Sequence, residues 1–402
     1  MENLKWLKII AQLQIYYDNK SWLFSISSLV LQANHTYLPA MIQQVPDKET
    51  TPANLRRKFS IGIAMSGGVD SSVTARLLKN MGHDVHGFFM ALAQPDLEHQ
   101  IKRVKTVAAH MEIPLTVVNL TAEFKEKVLG YFIQSYLEGQ TPNPCMICNP
   151  MIKFGRLLKT IRAAGCDFMA TGHYARITKT QDEIYHLLKG LDPQKDQSYF
   201  LHRLTQEQLA RIIMPLGEQT KEKVYELAAD LGLSGIHGAE SQDVCFLQNQ
   251  DLHTFMSQHV PKGKNEGPIV TCEGKELGRH KGIHHYTVGQ RKGLGLPDAT
   301  PYYVLALDPA GNEVVVGKKS DLLQQEMSVG EINWLAGEKP ALPRDFIAKI
   351  RYRHQGASAR VMESADKICR VRFYQPQLAV TPGQFAVFYQ DDEVVGGGVI
   401  LR

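Results

Sequence analysis

One short segment constrains the fold of this chain more than any other feature of its sequence. An apolar run at 59–65 predicts a strand, Ser-Gly-Gly-Val-Asp-Ser-Ser follows it at 66–72, and the next residues have the apolar spacing of a helix that ends at Gly82. Two adjacent glycines let the backbone approach an anion closely, while helix N-terminal amides and serine hydroxyls can donate hydrogen bonds to it. The segment therefore predicts a phosphate-binding loop.

Strands and helices alternate after this loop. Apolar runs at 85–92 and 115–120 predict two more strands, and the spacing at 101–111 predicts the helix between them. Such alternation is typical of an α/β fold with a parallel sheet, whose ligands bind at the carboxyl ends of the strands. The loop has neither the Gly-Lys-Ser/Thr of a γ-phosphoryl-transferring P-loop nor the G-x-G-x-x-G of a dinucleotide fold.

The second half of the chain has a different pattern. Helical spacing at 206–213 and 221–231 predicts a small connecting domain, and short apolar runs from about Glu276 onward predict a C-terminal antiparallel β-barrel. We therefore expect four regions: an N-terminal extension at 1–57, a nucleotide-binding catalytic domain at 58–208, a connecting domain at 209–275 and a barrel at 276–402.

The N-terminal extension carries no chemical motif. It could be a poorly ordered segment, a helix that binds a partner or a membrane surface, or a targeting segment, although Glu2 and Asp18 disfavour a mitochondrial one. No uninterrupted apolar run reaches the ~18 residues that span a bilayer. We expect no membrane partner.

Composition is that of an ordinary globular protein. Of the 402 residues, 44% are hydrophobic and 21% charged, and 45 Lys and Arg against 41 Asp and Glu give a mildly basic chain that permits RNA binding. Six cysteines are too few for a disulfide scaffold of this length. We therefore expect a reducing cytoplasm, in which a close cysteine pair indicates metal binding or catalysis.

The closest cysteine pair is Cys145-Met-Ile-Cys148. By itself, C-x-x-C is typical of half a zinc site or of a redox pair. A structural zinc site needs a second pair of ligands, and the remaining cysteines stand singly at 166, 245, 272 and 369. The histidines at 280, 284 and 285 have no carboxylate or cysteine close in sequence. We predict no metal site, and the plain interpretation of Cys245 is a small buried side chain.

Seven sequence blocks occur together in this chain. They are Ser-Gly-Gly-Val-Asp-Ser at 66–71, Pro-Asn-Pro-Cys-Met-Ile-Cys-Asn at 142–149, Ser-Gln-Asp-Val-Cys-Phe at 241–246, Ala-Thr-Gly-His-Tyr at 170–174, Lys-Asp-Gln-Ser-Tyr-Phe at 195–200, Gly-Gln-Arg-Lys-Gly-Leu-Gly at 289–295 and Thr-Pro-Gly-Gln at 381–384. The first three, in that order along the chain, resemble the tRNA-specific 2-thiouridylases of the ATP pyrophosphatase superfamily, and the other four match the same family. The resemblance runs from about Lys58 to the C terminus and excludes 1–57.

The resemblance implies ATP as a cosubstrate, used with Mg²⁺, and tRNA as the molecule that is modified. The nucleotide-binding residues that it implies are Ala64, Met65, Ser66, Gly67, Gly68, Val69, Asp70, Ser71, Met90 and Gly172. It also implies adenylation of the C2 oxygen of the wobble uridine. Cys245 would then receive sulfur as a persulfide from a cysteine desulfurase or its relay protein, and Cys148 would attack that persulfide and could form a disulfide with Cys245.

The resemblance also implies which residues contact tRNA. Asn143, Pro144 and Cys145 would line a pocket for the flipped-out uridine, because chemistry on a base requires taking it from the stack. The further contacts that it implies are His173, Lys195, Asp196, Gln197, Arg351, Tyr352 and Gln384. Basic residues at 279–292 and 351–353 could bind phosphates. The plain alternative is that these residues form a solvated face without a ligand.

One departure leaves the sulfur chemistry open. Many family members have aspartate at the position of Cys145, so either cysteine of the pair could be the attacking one. The three thiols of Cys145, Cys148 and Cys245 could instead hold an iron–sulfur cluster with one open iron, as in a related class of tRNA thiolases. Two other classes stay open: a different ligase of the superfamily, which would not need the cysteines, and a non-enzymatic RNA-binding or zinc-organised module, which would leave 66–72 unexplained.

Overall fold

The computed structural model of the protein describes residues 58–233, 244–247, 250–260, 266–364 and 368–401. The N-terminal extension and residues 241–243 of the Ser-Gln-Asp-Val-Cys-Phe block lie outside the described residues. What the sequence predicts for them, like the four-region division, stays a prediction.

The nucleotide-binding region is built on a five-stranded parallel sheet in the order β3-β2-β1-β4-β7. Its strands are β1 Ser60–Ala64, β2 Asp84–Ala91, β3 Leu115–Asn119, β4 Phe168–Ala170 and β7 Ile212–Ile213. The sheet grows to one side from β1 to β3 and to the other side through β4, so a switch point lies between β1 and β4. Ligands of such sheets bind in the crevice at this point. The α/β expectation is confirmed.

Nine α-helices are described in this part of the chain: α1 Val69–Asn80, α2 Leu97–His110, α3 Thr121–Phe124, α4 Gly130–Leu137, α5 Cys145–Cys148, α6 Leu158–Ala163, α7 Gln206–Leu209, α8 Lys221–Asp230 and α9 Leu252–His259. Segments Lys125–Leu129 and Asn149–Leu157 are π-helical, and 3₁₀ turns occur at Ser198–Leu201, Pro215–Glu218, Ile283–His285 and Lys319–Leu322. None of the helices among the described residues is both long and apolar enough to cross a membrane.

The predicted helix at 206–213 is wrong in its second half. The chain leaves α7 and becomes extended, and Ile212 and Ile213 form β7 beside β4. Both isoleucines are buried in this position. Branching at Cβ favours the extended backbone, and the tertiary contact decides between two conformations that a short apolar run leaves open.

The β-rich half forms two sheets, and the first begins at Gly267. A four-stranded sheet in the order β10-β11-β8-β9 contains β8 Gly267–Thr271, β9 Glu276–His280, β10 Tyr303–Asp308 and β11 Glu313–Gly317. The second sheet contains β12 Leu323–Trp334, β13 Arg344–Lys349, β14 Ala357–Glu363, β15 Cys369–Leu378, β16 Phe385–Gln390 and β17 Glu393–Ile400. Because β12 pairs with both β15 and β17, these six strands close into the expected antiparallel barrel.

Many contacts join this barrel to the nucleotide-binding region, and two of them involve its strands and the segment before α5. The hairpin of β5 Ala175–Lys179 and β6 Tyr185–Lys189 extends the barrel sheet through pairing of β6 with β17. The turn before β16 meets the segment before α5, since the Thr141 amide donates to the Pro382 carbonyl at 2.9 Å and Gln384 Nε2 donates to the Thr141 carbonyl at 2.9 Å. The barrel therefore touches the segment that leads to the cysteine pair.

Candidate active site

The phosphate loop follows β1 and ends in the first turn of α1. Gly67 has a φ of +74°, a conformation that glycine adopts without the steric cost of a side chain. Ser71 Oγ accepts from the Ser66 amide at 3.2 Å and donates to the Gly68 carbonyl at 3.1 Å. The loop is thus ordered by its own hydrogen bonds, and its amides open into the crevice at the N-terminus of α1.

Arg103, on α2, supplies a cation that the sequence analysis did not identify. Its Nη2 donates to the Ser66 carbonyl at 3.3 Å, and a Cβ built on Gly67 would lie 3.2 Å from its Nε. This buried Nε has no hydrogen-bond partner among the described residues. An unpaired N–H beside a glycine loop fits an anionic group, since it would otherwise stay desolvated without compensation.

Asp70 is held by two side chains from other parts of the chain. Its Oδ1 accepts from the Tyr174 hydroxyl at 2.7 Å and from Lys221 Nζ at 2.7 Å. Lys221 is buried in the first turn of α8, where its ammonium also lies 4.8 Å from the centre of the Tyr225 ring. The negative charge of the Asp70 carboxylate is therefore balanced by the Lys221 ammonium before any ligand binds.

Gly172 lies against the loop from the other side of the switch point. A Cβ at this position would stand 2.8 Å from the Asp70 carbonyl carbon and 3.0 Å from the Ser71 nitrogen, so only glycine permits this approach. Ala64, Met65, Val69 and Met90 border the same crevice at the ends of β1 and β2 and the start of α1, and Val69 and Met65 are buried. The fold thus brings the predicted nucleotide-binding residues together.

The three predicted thiols converge although they come from distant segments. Cys145 and Cys148 are the first and last residues of α5, and Cys245 lies in a turn closed by the Leu247 amide and the Val244 carbonyl at 2.9 Å. The adjacent Phe246 is buried against the rings of Phe132 and Phe255, at centroid distances of 5.1 and 5.4 Å. Cys245 itself is half-buried, rather than fully buried as its plain interpretation has it, and the buried Phe246 anchors the turn.

Electrostatics hold these thiols in their protonated form. Burial raises the pKa of Cys148 to about 12, with Cys145 and Cys245 adding to the rise, and burial raises the pKa of Cys245 to about 11. The pKa of Cys145 is raised by burial as well. Lys153 opposes the rise at all three thiols. This lysine is a second functional candidate that the sequence analysis missed.

His173 joins the thiol side of the site to Gly172. Its Nε2 lies 3.2 Å from Lys153 Nζ, and its Nδ1 lies 2.8 Å from Thr171 Oγ1. Burial, with the charge of Lys153 adding to it, holds the pKa of His173 well below its usual value, so the ring is neutral at pH 7. A neutral ring that accepts from the ammonium at Nε2 carries its proton on Nδ1, which donates to Thr171.

The residues predicted to line the uridine pocket lie at the start of α5. Asn143 Oδ1 accepts from the Cys145 amide at 3.2 Å, and Pro144 begins the turn through a 2.9 Å bond from the Cys148 amide to its carbonyl. Gln384 reaches Thr141 just before them. These residues surround one end of the thiol cluster.

The other predicted tRNA contacts lie on neighbouring loops. Tyr352 packs on Phe200 at a centroid distance of 4.5 Å, and Arg351 Nη1 donates to the Leu378 carbonyl at 3.1 Å. Asp196 is buried and accepts from the Gly190 amide at 3.1 Å, so its carboxylate shapes its own loop.

Two neighbours of Asp196 were predicted with it. Gln197 Oε1 accepts from the Tyr174 amide at 3.1 Å, and the Lys195 amide donates to the Asp192 carbonyl at 3.1 Å. Gln197 thus contacts the residue after His173, and Tyr352 of the barrel packs on Phe200, three residues after Gln197.

The histidines at 280, 284 and 285 lie on β9 and in the turn that follows it. The ring of His285 stacks on that of His253 at 3.8 Å, and burial lowers the pKa of His285 to about 4. Within the described ranges, no set of three or more His, Cys, Asp or Glu residues has an arrangement that could hold a metal ion.

Three family models match successive parts of the chain. The model described as tRNA methyl transferase HUP domain matches residues 59–249, that described as tRNA methyl transferase PRC-barrel domain matches 253–318, and that described as Aminomethyltransferase beta-barrel domain matches 324–400. Their succession follows the parallel sheet, the four-stranded sheet and the closed barrel.

Curated relatives match over almost their whole length. The tRNA-specific 2-thiouridylase MnmA of Desulfotalea psychrophila is 48% identical over 340 residues, which are 85% of this chain and 98% of the relative. The proteins of the same name from Trichlorobacter lovleyi and Magnetococcus marinus are 46% and 45% identical, again over 85% of this chain, and are covered to 97% and 98%. Since these relatives are matched over nearly their whole length at this identity, the protein belongs to the family of tRNA-specific 2-thiouridylases.

Proposed function

We propose that the protein is an ATP-dependent tRNA uridine 2-sulfurtransferase that acts on the wobble uridine. The observation that carries the proposal is the position of Thr171-Gly172-His173. Gly172 packs on the phosphate loop, while the His173 side chain contacts the lysine that acts on all three thiols. One segment therefore adjoins both a phosphate site and a sulfur site, which are the two parts that replacing oxygen by sulfur requires.

The first step activates the uridine. The C2 oxygen of the base attacks the α-phosphorus of ATP and pyrophosphate leaves, so that a poor leaving group becomes AMP. The loop amides, Ser66 and Arg103 would hold the phosphate oxygens on which charge develops. Because these donors lie in place beforehand, they need no reorganisation during the reaction.

Mg²⁺ would accompany the nucleotide. Oxygen donors are the ligands that this ion prefers, and Ser66, Ser71 and Asp70 supply them at the loop. Asp70 Oδ1 is already paired with Lys221. We therefore expect the ion to be bound mainly through the phosphates, where it would neutralise their charge.

The second step delivers sulfur. Cys245 takes a sulfane sulfur from a persulfide donor, such as a cysteine desulfurase or its relay protein, and the donor thiol is released. The Cys148 thiolate then attacks Cys245 Sγ, which forms the Cys148–Cys245 disulfide and releases hydrosulfide. Hydrosulfide adds to C2 and displaces AMP, and an external dithiol returns the disulfide to two thiols.

The tRNA would lie across the contact between the barrel and the nucleotide-binding region. Arg351, Tyr352 and Gln384 come from the barrel, and His173 and Lys195 come from the nucleotide-binding region. The uridine would leave its stack and enter beside Asn143 and Cys145. Phosphate contacts of this kind position the RNA and make binding sensitive to salt.

Two measurements on the purified full chain test the proposal. Pyrophosphate release should depend on added tRNA, and digestion of that tRNA followed by mass spectrometry should find 2-thiouridine only when ATP and a persulfide donor are both present. Transcripts with cytidine in place of the wobble uridine serve as the matched control. Release of pyrophosphate without tRNA, or with a small amine or carboxylate instead, would favour a different ligase of the superfamily.

A further inference from the structure

Lys153 occupies a position that neither the phosphate site nor the predicted tRNA contacts explain. It is half-buried, its ammonium acts on Cys145, Cys148, Cys245 and His173, and its described hydrogen bond goes to the His173 ring. An ammonium has three N–H donors, of which His173 takes one. A cation placed among half-buried thiols points to an anion of sulfur as its second partner.

The backbone accounts for this placement. Cys148 and Lys153 are five residues apart, which in an α-helix would set their side chains about 140° apart around the axis. Residues Asn149–Leu157 form a π-helix instead, whose hydrogen bonds join residues five apart and therefore bring such pairs to the same side. The wider helix thus turns Lys153 toward the thiol at the end of α5.

Other residues stabilise this wider helix. Pro150 cannot donate a backbone hydrogen bond, and the carbonyls of Pro150 and Phe154 accept from Gln208 Nε2 at 2.9 and 3.0 Å. Gly155 lies where a Cβ would come within 2.7 Å of the Pro150 carbonyl oxygen. A nine-residue π-helix is rare, and rare helical forms of this type occur frequently at functional sites.

We propose that Lys153 is a positioning residue for sulfur transfer, which stabilises the Cys148 thiolate and then the released hydrosulfide beside the activated uridine. The inference rests on the proposed function. His173 fixes the Lys153 ammonium from the other side. Because the His173 ring is uncharged, it leaves the charge of the ammonium available to the thiolate. The same histidine follows Gly172, so the cation of the sulfur site is fixed to the segment that packs on the phosphate loop.

The titratable and charged groups around the Cys148 thiol support this assignment. Burial raises its pKa, Cys245 and Cys145 raise it further, and Lys153 is the described group that lowers it. Without the lysine, a smaller fraction of Cys148 would be thiolate at any pH below its pKa. Because the thiolate is the attacking form, the rate of disulfide formation would fall in proportion.

The test uses Lys153→Gln and Lys153→Arg, with Lys159→Gln as the matched control, because Lys159 is exposed on α6. Iodoacetamide labelling of Cys148 at pH 8, followed by peptide mass spectrometry, should slow about tenfold in Lys153→Gln, the change that one pKa unit produces. Transfer of persulfide sulfur to tRNA should fall by about the same factor. Pyrophosphate release should stay within about twofold, because adenylation uses the other half of the site.

Lys153→Arg keeps the charge and should label at a rate within about threefold of the unchanged protein. A labelling rate in Lys153→Gln equal to that of Lys159→Gln would overturn the inference, as would an arginine variant as slow as the glutamine variant. Loss of pyrophosphate release in Lys153→Gln would also overturn it, because the lysine would then act in adenylation or in folding. The proposed function fails separately, if the unchanged protein forms no 2-thiouridine.

Discussion

The phosphate loop and the thiol cluster meet at Thr171-Gly172-His173 but are constructed in opposite ways. The loop is one continuous segment, its hydroxyls and carbonyls are hydrogen-bonded to each other, and its carboxylate is paired with Lys221. The thiols come from two distant segments, are half-buried, and have pKa values raised by burial. The phosphate site is therefore ordered in advance for a charged ligand, whereas the thiols of the sulfur site are held in their uncharged, protonated form.

This difference suggests how one enzyme keeps two reactive steps in order. Donors fixed in advance favour adenylation whenever ATP and uridine are both bound. Thiols that stay protonated at neutral pH react slowly with adventitious oxidants or electrophiles, since the thiolate is the nucleophile. If the two halves are independent in this way, substitutions should separate adenylation from sulfur transfer.

The largest separation is expected from the two catalytic thiols. Cys245→Ser should accept no radiolabelled sulfur from a cysteine desulfurase, and Cys148→Ser should accept it but fail to deliver it. In both variants tRNA thiolation should fall by at least about 10³-fold, as when a nucleophile is removed, while pyrophosphate release stays within about twofold. Cys272→Ser is the control, because Cys272 is exposed and lies on the turn after β8. Sulfur bound to Cys245→Ser would contradict the assignment.

Substitution of Asp70 is expected to impair adenylation rather than sulfur transfer, the opposite of the result at the thiols. Asp70→Ala should reduce adenylation about 100-fold, since the loop loses the carboxylate that orients it. It should also destabilise the protein by about 3 kcal/mol, because the ammonium of Lys221, whose side chain is 6% exposed, loses its contact with the Asp70 carboxylate. Urea unfolding measures the second effect, and pyrophosphate release the first.

A double variant sharpens this result. Lys221→Met added to Asp70→Ala removes the charge that has lost the Asp70 carboxylate and places a thioether near the rings of Tyr174 and Tyr225, a favourable contact. It should recover more than half of the lost stability and none of the adenylation. Recovery of adenylation would mean that Asp70 acts only through the fold.

Sequence reasoning identified the loop and the thiols but not the side chains that adjust them. The loop could be predicted because its glycines, serines and flanking apolar runs are consecutive. Arg103 is 37 residues from Ser66 and Lys221 is 151 residues from Asp70, so their contacts depend on the order of strands in the sheet. Lys153 is close in sequence, but α-helical periodicity places it on the wrong side of its helix.

In the barrel, too, the sequence predicts some strands and fails to predict others. Strands with buried apolar residues, such as Phe385–Gln390, could be predicted from their composition. Leu323–Trp334 begins with Leu-Gln-Gln-Glu and was missed, because its polar side faces solvent and Glu326 pairs with Arg370 across the sheet. Edges and exposed faces of a barrel have weak apolar periodicity, and only pairing with the neighbouring strand defines them.

A smaller effect is expected at Gly172, where the phosphate loop meets the segment that leads to the thiol cluster. Gly172→Ala places a Cβ 2.8 Å from the Asp70 carbonyl carbon, so the loop or the segment after β4 must shift. We expect the KM for ATP in pyrophosphate release to rise about tenfold, and labelling of Cys148 to stay unchanged. Gly130→Ala in α4 is the control, since the nearest atom to its added Cβ is an ordinary 3.7 Å away. Equal KM values in the two variants would refute the packing argument.

The smallest effect is expected from Cys145→Asp, and it also separates the persulfide route from the iron–sulfur route. The introduced carboxylate would lie within reach of the Lys153 charge that now acts on Cys145, so its burial would be compensated by an ion pair. On the persulfide route, thiolation should then stay within about threefold of the unchanged protein, since Cys148 and Cys245 are both present. On the cluster route, carboxylate oxygen replaces one of three thiolates, and activity should fall together with iron content and with absorbance near ~400 nm in anaerobically purified protein. Adding Lys153→Gln to Cys145→Asp tests the compensation: the double variant should lose more activity than the product of the two single losses, because the carboxylate is then buried without its partner.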